Sequence, residues 1–182
     1  MLGGMDWFDS ICHAFATTGT GGFSTKQASV AYYNSPYIEY VISIFMFISG
    51  INFTLLLLFV NRKFKKFISN AELKFYFGSV VLFTAVIAIV LYYTSPMGME
   101  ESFRKSLFQV ISLHTSTGFA TDDYMQWTPV LWGLLTIIML MGACAGSTTG
   151  GLKCIRMVIL TKVSRNELQT TSYTPMPYFR YG

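Results

Sequence analysis

Two short runs of threonine, serine and glycine contain the residue types in this sequence that are best suited to chemistry. One is TTGTGGFST at residues 17–25, and the other is HTSTGFAT at residues 114–121. Glycine lets a backbone carbonyl turn in directions that other residues avoid, and threonine adds a hydroxyl oxygen. Rings of such oxygens replace the water shell of a cation such as potassium in a narrow, dry passage. The two runs therefore predict a cation site built mainly from backbone carbonyls.

Both runs belong to a larger unit that occurs twice. In each copy a short apolar stretch, Trp7–Ala16 or Phe103–Leu113, precedes the Thr/Gly run, and a longer apolar tract follows it. The two runs align when Gly22 is treated as a one-residue insertion, which pairs Gly21 with Gly118 and gives a repeat of about 97 residues. The short stretches cannot cross a bilayer, so we expect them to enter the membrane and return as pore helices.

The composition argues against a water-soluble globule. Of the 182 residues, 52% are hydrophobic and 12% are charged, whereas roughly a quarter of the residues in a soluble domain are charged. Ile38–Val60 and Phe75–Tyr93, of 23 and 19 residues, are each long enough to cross a bilayer. The third apolar tract, Trp127–Val163, has 37 residues, which is more than one crossing needs. We therefore expect a break in the middle of this tract.

The lysines and arginines indicate the orientation in the membrane. Residues 61–74 and the tail from Lys153 together hold ten of the 13 basic residues. The positive-inside rule puts both segments in the cytoplasm and the two Thr/Gly runs on the outer side. Arg62 to Lys66 is expected to contact membrane lipid. The net charge of +4 does not indicate nucleic-acid binding, because the basic residues flank apolar segments and do not form a polar patch.

Four stretches resemble, in the same order, the Trk/Ktr superfamily of potassium transporters, and most closely its bacterial TrkH/TrkG branch. WFDSICHAFATTGTGGFST is similar to that family's second pore helix and filter, and ISGINFTLLL to the span after it. STGFATDD resembles the third filter, and GACAGSTTGGLKCIR resembles the interrupted helix of the third repeat. The resemblance implies an all-α membrane protein of M1-P-M2 repeats, whose re-entrant pore loops surround a pseudo-fourfold pore. It covers two of four repeats, so we expect this sequence to be part of a longer chain.

The resemblance also implies how the chain is divided. Residues 1–60 would hold the second pore helix, filter and M2 span, and residues 61–74 a basic cytoplasmic loop. Residues 75–163 would form the third M1-P-M2 repeat with an interrupted M2 helix, and residues 164–182 the cytoplasmic lead-in to a fourth repeat. The expected potassium filter consists of Thr18, Gly19, Thr20, Gly21, Gly22, Thr115, Ser116, Thr117, Gly118 and Phe119.

The small polar run Gly142–Gly151 has two interpretations. Gly146 and Gly150 form a GxxxG motif, which is typical of closely packed membrane helices. The run's glycines and hydroxyl residues also lower helix propensity, in a tract too long for one crossing. The resemblance favours a flexible intramembrane loop that obstructs the pore below the filter and moves during gating. The expected gate residues are Gly142, Gly146, Ser147, Thr148, Thr149, Gly150, Gly151 and Lys153.

The remaining polar residues have structural interpretations. The three cysteines have no metal-ligand spacing and are expected to be small buried residues. His13 and His114 precede the two filter runs and are each expected to hydrogen-bond a neighbouring carbonyl. Glu39 is expected at the wet outer boundary of its span, and Asn52 in an interhelical hydrogen bond. For Lys153, a role in the gate and simple snorkelling toward the cytoplasm stay open.

These features together predict potassium uptake across the bacterial inner membrane, with potassium as the bound and transported ion. By resemblance, we expect a homodimer regulated by a cytosolic nucleotide-binding ring protein of the TrkA type. Two alternatives stay open. One is an intramembrane hydrolase with Ser147 as nucleophile and His13 or His114 as base, which the absence of a GxSxG motif disfavours. The other is a structural membrane subunit without transport activity.

Overall fold

The computed structural model describes residues 3–173, with side chains as far as residue 167. Short 3-10 helices lie at Ser29–Tyr33 and Tyr124–Gln126, and the two-residue strands β1 (Met141–Gly142) and β2 (Leu152–Lys153) pair in parallel. Residues 174–182 of the expected lead-in lie outside the described residues. The helices are α1 (Trp7–Thr18), α2 (Pro36–Ser49), α3 (Phe53–Val60), α4 (Phe64–Ser69), α5 (Ala71–Thr94), α6 (Met99–His114), α7 (Pro129–Leu140) and α8 (Cys154–Tyr173).

Helix α5 is the one helix in residues 3–173 that is long and apolar enough to cross a membrane by itself. Asn70 begins this helix by accepting hydrogen bonds from the N–H groups of Glu72 and Leu73, at 2.9 and 3.1 Å. Only 28% of its apolar window is buried, and side chains such as Leu82 and Ile89 are exposed. A core helix of a soluble protein would be mostly buried. The helix contains the whole of the second expected span.

The first expected span is not a single straight helix. Helices α2 and α3 reach the required length only together, and they are bent by 102° at the break between them. A Cβ added at Gly50 would collide with the hydroxyl of Tyr76, so the chain passes close to α5 at this bend. Asn52 then caps α3, because its side-chain oxygen accepts a hydrogen bond from the Thr54 N–H at 2.8 Å. This hydrogen bond lies at the start of α3, and an interhelical bond of Asn52 stays a prediction. Apolar composition alone did not reveal the change of direction.

The third apolar tract is interrupted, as the sequence predicts. Helix α7 ends at Leu140 after 12 residues, and α8 begins at Cys154. Between them β1 pairs with β2, with Met141 opposite Leu152 in the register. Helix α8 continues beyond the expected end of the tract, to Tyr173. The break therefore produces a closed loop whose two ends are held together by backbone hydrogen bonds.

The core lies around α6, which packs against α2, α5 and α7. Its fully buried members include Met46 of α2, Tyr76 and Ile87 of α5, Phe108 of α6 and Leu131 of α7. Helix α6 also buries many polar side chains, which matches its position inside a bundle and not against lipid.

Glu39 lies inside the fold and not at a wet boundary, so that expectation is wrong. Its exposure is 3%, and the guanidinium of Arg104 donates to its carboxylate. Arg104 also donates to Glu100 at 3.0 Å, and the Tyr40 hydroxyl donates to Glu100 at 3.1 Å. A carboxylate is tolerated here because a guanidinium pairs with it. This network joins the start of α2 to the start of α6.

Candidate cation filter and gate

Two short helices end at the Thr/Gly runs, as the sequence predicts. Helix α1 has 12 residues and α6 has 16, which correspond to about 18 and 24 Å and so fall short of a bilayer core. Thr18 is the last residue of α1, so the first loop proper begins at Gly19. The C-terminus of a helix carries partial negative charge, and both helices direct that end at a Thr/Gly run.

The two runs adopt the same sequence of backbone conformations. Thr20 and Ser116 have φ angles of 49° and 55°, and Gly22 and Gly118 have φ angles of 66° and 85°. Positive φ is uncommon outside glycine, so its occurrence at two matched positions is informative. The counterpart of Gly118 is therefore Gly22, and the expected pairing with Gly21 is wrong. The alignment by residue type placed an insertion at Gly22, but the two backbones match without one. Equivalent residues of the two runs are therefore 96 positions apart.

Hydrogen bonds at the helix ends give the same offset. In the first unit the Gly21 N–H donates to the Ala16 carbonyl at 2.8 Å. In the second unit the Thr117 N–H donates to the Ser112 carbonyl at 2.9 Å. Each residue of the second bond lies 96 positions after its counterpart in the first. The two loops are therefore copies of one backbone design.

The two loops lie side by side. A Cβ added at Gly22 would overlap the carbonyl oxygen of Thr117, so the two backbones touch. Beyond the loops, the Ala31 N–H donates to the Ala120 carbonyl at 3.1 Å, and the Ala120 N–H donates to the Ser29 hydroxyl at 3.3 Å. Residues about 90 to 95 positions apart in sequence are thus held next to each other, which a site shared by the two loops requires.

Phe119 holds the end of the second loop against the protein interior. Its side chain is fully buried and its ring stacks on His13, with 5.7 Å between ring centroids. Its carbonyl accepts a hydrogen bond from the Ser112 hydroxyl at 2.7 Å and is already engaged within the protein. By contrast, Ser116 and Gly118 are exposed. In the second run, Phe119 is buried together with Thr115 and Thr117, whereas the exposed positions alternate with them.

The two histidines have structural partners. His13 contacts the Asp9 carbonyl through Nδ1 at 2.8 Å and the Ser24 hydroxyl through Nε2 at 2.9 Å, so the expected hydrogen bond to a carbonyl is confirmed. For His114 the hydrogen bond found is to a hydroxyl and not to a carbonyl, since Nε2 contacts Ser79 at 2.8 Å. Both rings are buried, and each supports one pore helix.

Ser147 has no histidine among its hydrogen-bond partners in the described part of the chain. Its hydroxyl donates to the Cys144 carbonyl at 2.6 Å and contacts the Thr149 hydroxyl at 2.8 Å. A serine nucleophile needs a base within hydrogen-bond reach. The geometry therefore gives no support to the hydrolase alternative.

A buried carboxylate holds the chain that leaves the first loop. Asp9 of α1 accepts hydrogen bonds from the hydroxyls of Tyr33 and Thr25, both at 2.7 Å, and pairs with Lys26 at 3.3 Å. The Tyr33 and Thr25 hydrogen bonds lower the pKa of Asp9 to about 2. Burial, followed by the hydrogen bond to Asp9, raises the pKa of Tyr33 to about 12.

The second loop has an ion pair at the matched positions, with the charges exchanged. Lys105 of α6 pairs with Asp122 at 3.1 Å, and these residues lie 96 positions after Asp9 and Lys26. Lys105 also pairs with Glu101 at 3.0 Å. In both units an ion pair thus ties the segment after the loop back to its pore helix.

The run Gly142–Gly151 lies directly against the filter loops. The Thr20 hydroxyl donates to the Thr148 carbonyl at 3.1 Å, and the Thr148 hydroxyl approaches the Thr18 carbonyl at 3.4 Å. A Cβ added at Gly150 would contact Ser116 of the second loop at 3.5 Å. One loop therefore contacts both Thr/Gly runs.

The loop closes on itself through its glycines and Lys153. A Cβ added at Gly142 would overlap the carbonyl oxygen of Gly150, so the two ends of the loop meet without space for a side chain. Gly146 and Gly151 have φ angles of 72° and 76°. The ammonium of Lys153 donates to the carbonyl of Thr149 and approaches its hydroxyl at 3.2 Å. Lys153 therefore stabilises this loop conformation.

The backbone of the loop is anchored to the break between α2 and α3. The Cys144 N–H donates to the Gly50 carbonyl at 3.1 Å, and the Phe53 N–H donates to the Gly146 carbonyl at 3.2 Å. Cys144 and Cys154 are buried free thiols and Cys12 is half-buried, close to the expected pattern.

Sequence reasoning missed one side-chain anchor of the loop, Glu72. The carboxylate of Glu72, at the start of α5, accepts a hydrogen bond from the Ala145 N–H at 2.6 Å and is 5% exposed. In the sequence, Glu72 is one acid within a basic loop, and nothing there distinguishes it. Its low exposure, which only the structure shows, is what marks it.

Comparison with known proteins identifies the family of this arrangement. The sequence model of the family described as TrkH, cation transport protein, matches residues 3–174. The chain belongs to the TrkH family. It is 39% identical over 168 residues to the Trk system potassium uptake protein TrkH of Escherichia coli K12, covering 91% of this chain and 35% of that relative. It is 36% identical over 176 residues to TrkG of the same strain, covering 94% and 36%.

The crystal structure of the potassium transporter TrkH from Vibrio parahaemolyticus has the same fold. It matches with a TM-score of 0.89 and 34% identity, over 99% of this chain and 39% of that one. The expected membership of the TrkH/TrkG branch and the expected helical re-entrant fold are therefore confirmed. The family is one of transport proteins and not of enzymes, as expected. The chain spans about a third of the length of the TrkH and TrkG relatives.

Proposed function

We propose that this chain forms part of a potassium uptake protein of the bacterial inner membrane. The observation that carries the proposal is the pair of adjacent Thr/Gly loops, which share two positive-φ positions and follow the C-termini of two short helices. Such loops expose backbone oxygens to a common passage, and the helix ends make that passage favourable for a cation. The named function of the relatives, potassium uptake, agrees with this chemistry.

The filter in this proposal is formed by Thr18–Gly22 and Thr115–Phe119. Each run contributes main-chain oxygens that replace the water of a potassium ion, while the engaged carbonyl of Phe119 supports its loop from behind. Two loops enclose part of a passage, and two further loops of the same kind complete a pseudo-fourfold ring. Potassium is the transported ion and the ion bound in the ring.

The gate in this proposal is the loop Gly142–Gly151 with Lys153. Its contacts to Thr20 and Ser116 support a position directly beneath the filter. Its backbone makes hydrogen bonds to Gly50, Phe53 and Glu72 outside the loop, and such bonds are exchangeable for water when the loop moves. Closing and opening of the passage then correspond to making and breaking these bonds.

The assembly in this proposal is a homodimer in the lipid bilayer, regulated by a cytosolic nucleotide-binding ring protein of the TrkA type. The relatives are named as uptake proteins of a Trk system, which supports a transporter that works with other components. The basic loop that includes α4 offers positive charge to lipid headgroups and to such a partner.

Complementation tests the proposal. The natural gene product that contains this chain is expressed in a bacterium without potassium uptake systems, and growth at low potassium and the uptake of potassium and sodium are measured. We expect growth and selective potassium uptake, and loss of both in Gly118→Ser, because Gly118 has a φ of 85°. Gly78→Ser is the matched control, since Gly78 lies on the exposed side of α5 with open space around it. Equal uptake in the presence and absence of the gene product contradicts the proposal.

A further inference from the structure

A single buried carboxylate connects the start of α5 to the candidate gate loop. Glu72 lies in the first turn of α5, where the positive end of the helix dipole stabilises a negative charge. The side chain of Asn70 holds that turn in place by accepting the N–H of Glu72 itself at 2.9 Å. With an exposure of 5%, the carboxylate has little access to water and depends on partners from the protein.

The partner of Glu72 lies in the middle of the gate loop. The Ala145 N–H donates to the carboxylate at 2.6 Å. The neighbouring residues Cys144 and Gly146 are held by main-chain groups of the α2–α3 break. Three consecutive residues of the loop are thus anchored, and Glu72 supplies the anchor that comes from a side chain. A side-chain anchor is the one that a substitution removes without altering the backbone.

The basic segment Arg62 to Lys66, which includes the start of α4, lies in the chain shortly before this end of α5. Helix α4 packs against both α3 and α5, and the rings of Phe59 in α3 and Phe67 in α4 lie 5.4 Å apart. Helix α3 begins with Phe53, whose N–H holds Gly146 of the loop. Through α4, the basic segment is therefore connected to both elements that anchor the gate loop, α3 and α5.

We propose that Glu72 is a positioning residue that holds the gate loop beneath the filter, and that displacement of the basic segment releases it. This inference rests on the proposed function, because it assigns a regulated closed position to the same loop. Release of Glu72 removes one of three consecutive anchors and exposes the carboxylate to water from the passage. A cytosolic component that binds the basic segment then changes the position of the loop without contacting the pore.

The accessibility of a native thiol tests the inference without relying on transport. Cys144 is fully buried beside the anchored N–H, so a water-soluble thiol reagent labels it slowly while the loop is held. Glu72→Ala removes the acceptor of a buried N–H, and we expect Cys144 in the natural gene product to label about tenfold faster. Glu72→Gln retains an acceptor oxygen, and its labelling rate should stay within about threefold of wild type. Mass spectrometry distinguishes Cys144 from Cys12 and Cys154.

Controls separate the anchor from general damage. Glu167→Ala removes the same charge from an exposed position of α8 on the same predicted side, and should label like wild type. If Glu72→Ala is not recovered from the membrane, Glu72→Asp replaces it, since its shorter side chain keeps the charge but withdraws the acceptor. Equal labelling in wild type and in the acceptor-loss variant, or equal acceleration by Glu72→Gln, overturns the proposal.

Transport measurements separate this inference from the proposed function. In a wild type that takes up potassium, Glu72→Ala should raise the uptake without the regulatory component several-fold, with unchanged preference for potassium over sodium. An unchanged uptake rate in that variant overturns the anchor. Absence of potassium uptake in the wild type overturns the proposed function, whatever the labelling rates are.

Discussion

The two filter units of this chain have the same backbone but different supports. Positive φ angles occur at the same two positions of each loop, and the helix-end hydrogen bonds match at an offset of 96 residues. The side chains that hold these loops are not the same. The comparison separates what an ion site requires, which is the direction of carbonyls, from the contacts that provide it, which are interchangeable.

The ion pairs are the clearest difference in support. The first unit has its carboxylate on the pore helix and its ammonium after the loop, and the second unit has the reverse. Thr25 donates its hydroxyl to the carboxylate of Asp9, whereas the buried hydroxyl of its counterpart Thr121 has no partner in the described part of the chain. The exchange of charges therefore preserves the ion pair, but the second unit lacks the hydrogen bond that Thr25 makes in the first.

The contacts between each loop and the protein interior differ as well. Phe119 is fully buried against His13, and its carbonyl is held by Ser112. Its counterpart Phe23 is 82% exposed, and the residue that corresponds to Ser112 is Ala16, which has no hydroxyl. The second loop is therefore more firmly fixed than the first in these residues.

Substitutions of the loop glycines should have the largest effect and test the register directly. Gly22→Ala places a Cβ on the Thr117 carbonyl and also strains a positive φ, so we expect potassium uptake to fall by about a hundredfold. Gly118→Ala suffers only the strain, and a loss of about tenfold is expected. Gly21→Ala has ordinary φ and ordinary contacts, so its uptake should stay within about twofold of wild type. If Gly21→Ala is the most harmful, Gly21 is the true counterpart of Gly118.

Exchange of an ion pair should have the next largest effect. Asp9→Lys puts two ammonium groups together in a buried position, and uptake should fall about tenfold. The double variant with Lys26→Asp reproduces the order found in the second unit and should recover most of the uptake. Thermal unfolding in detergent, measured alongside uptake, should follow the same order. A double variant no better than the single one would show that the pair is not interchangeable between the units.

Removal of the Ser112 hydroxyl should have a smaller effect. Ser112→Ala leaves the Phe119 carbonyl without its donor. A typical net hydrogen bond of about 1 kcal/mol corresponds to a factor of about five in an equilibrium constant. We expect the preference for potassium over sodium to fall by about that factor in competition uptake assays. Ala16→Ser is the reverse change in the first unit and should not lower selectivity. Equal selectivity in wild type and Ser112→Ala contradicts a supporting role for this bond.

The pH dependence of Asp9 should give the smallest effect. Its folded pKa of about 2 lies below the ordinary value of 3.8, so its ionised form stabilises the fold above pH 3.8. That stability is lost as the pH falls from about 4 through 2. The difference in melting temperature between wild type and Asp9→Asn should be constant from pH 8 to 5 and shrink below pH 4. A constant difference down to pH 2 contradicts the lowered pKa.

Local sequence patterns predicted the elements that depend on composition. Short apolar stretches before the Thr/Gly runs became α1 and α6, and the excess length of the third tract became the break between α7 and α8. The bend at Gly50 could not be predicted in this way, because it depends on the approach of α5 and the gate loop to a continuous apolar tract. Tertiary contacts of this kind leave no mark on hydropathy.

The register and the ion pairs were missed for a related reason. Letter matching favoured an insertion at Gly22, and that one-residue error concealed the match between Asp9 and Lys105. A signal was present, since Asp9 precedes Lys26 by 17 residues and Lys105 precedes Asp122 by the same interval. Glu72 gave no such signal, because its role depends on burial against a loop more than 70 residues away in the sequence.

The stacking of His13 on Phe119 is a contact with a direction. The first unit supplies the histidine and the second supplies the phenylalanine, and the second unit has Gln109 at the position that matches His13. Head-to-tail contacts of this type close into a ring only when the rotation between neighbours divides a full turn. The ring of Phe23, which matches the buried Phe119, is 82% exposed, so the first unit has an aromatic surface that no residue in the described part of the chain covers in this way.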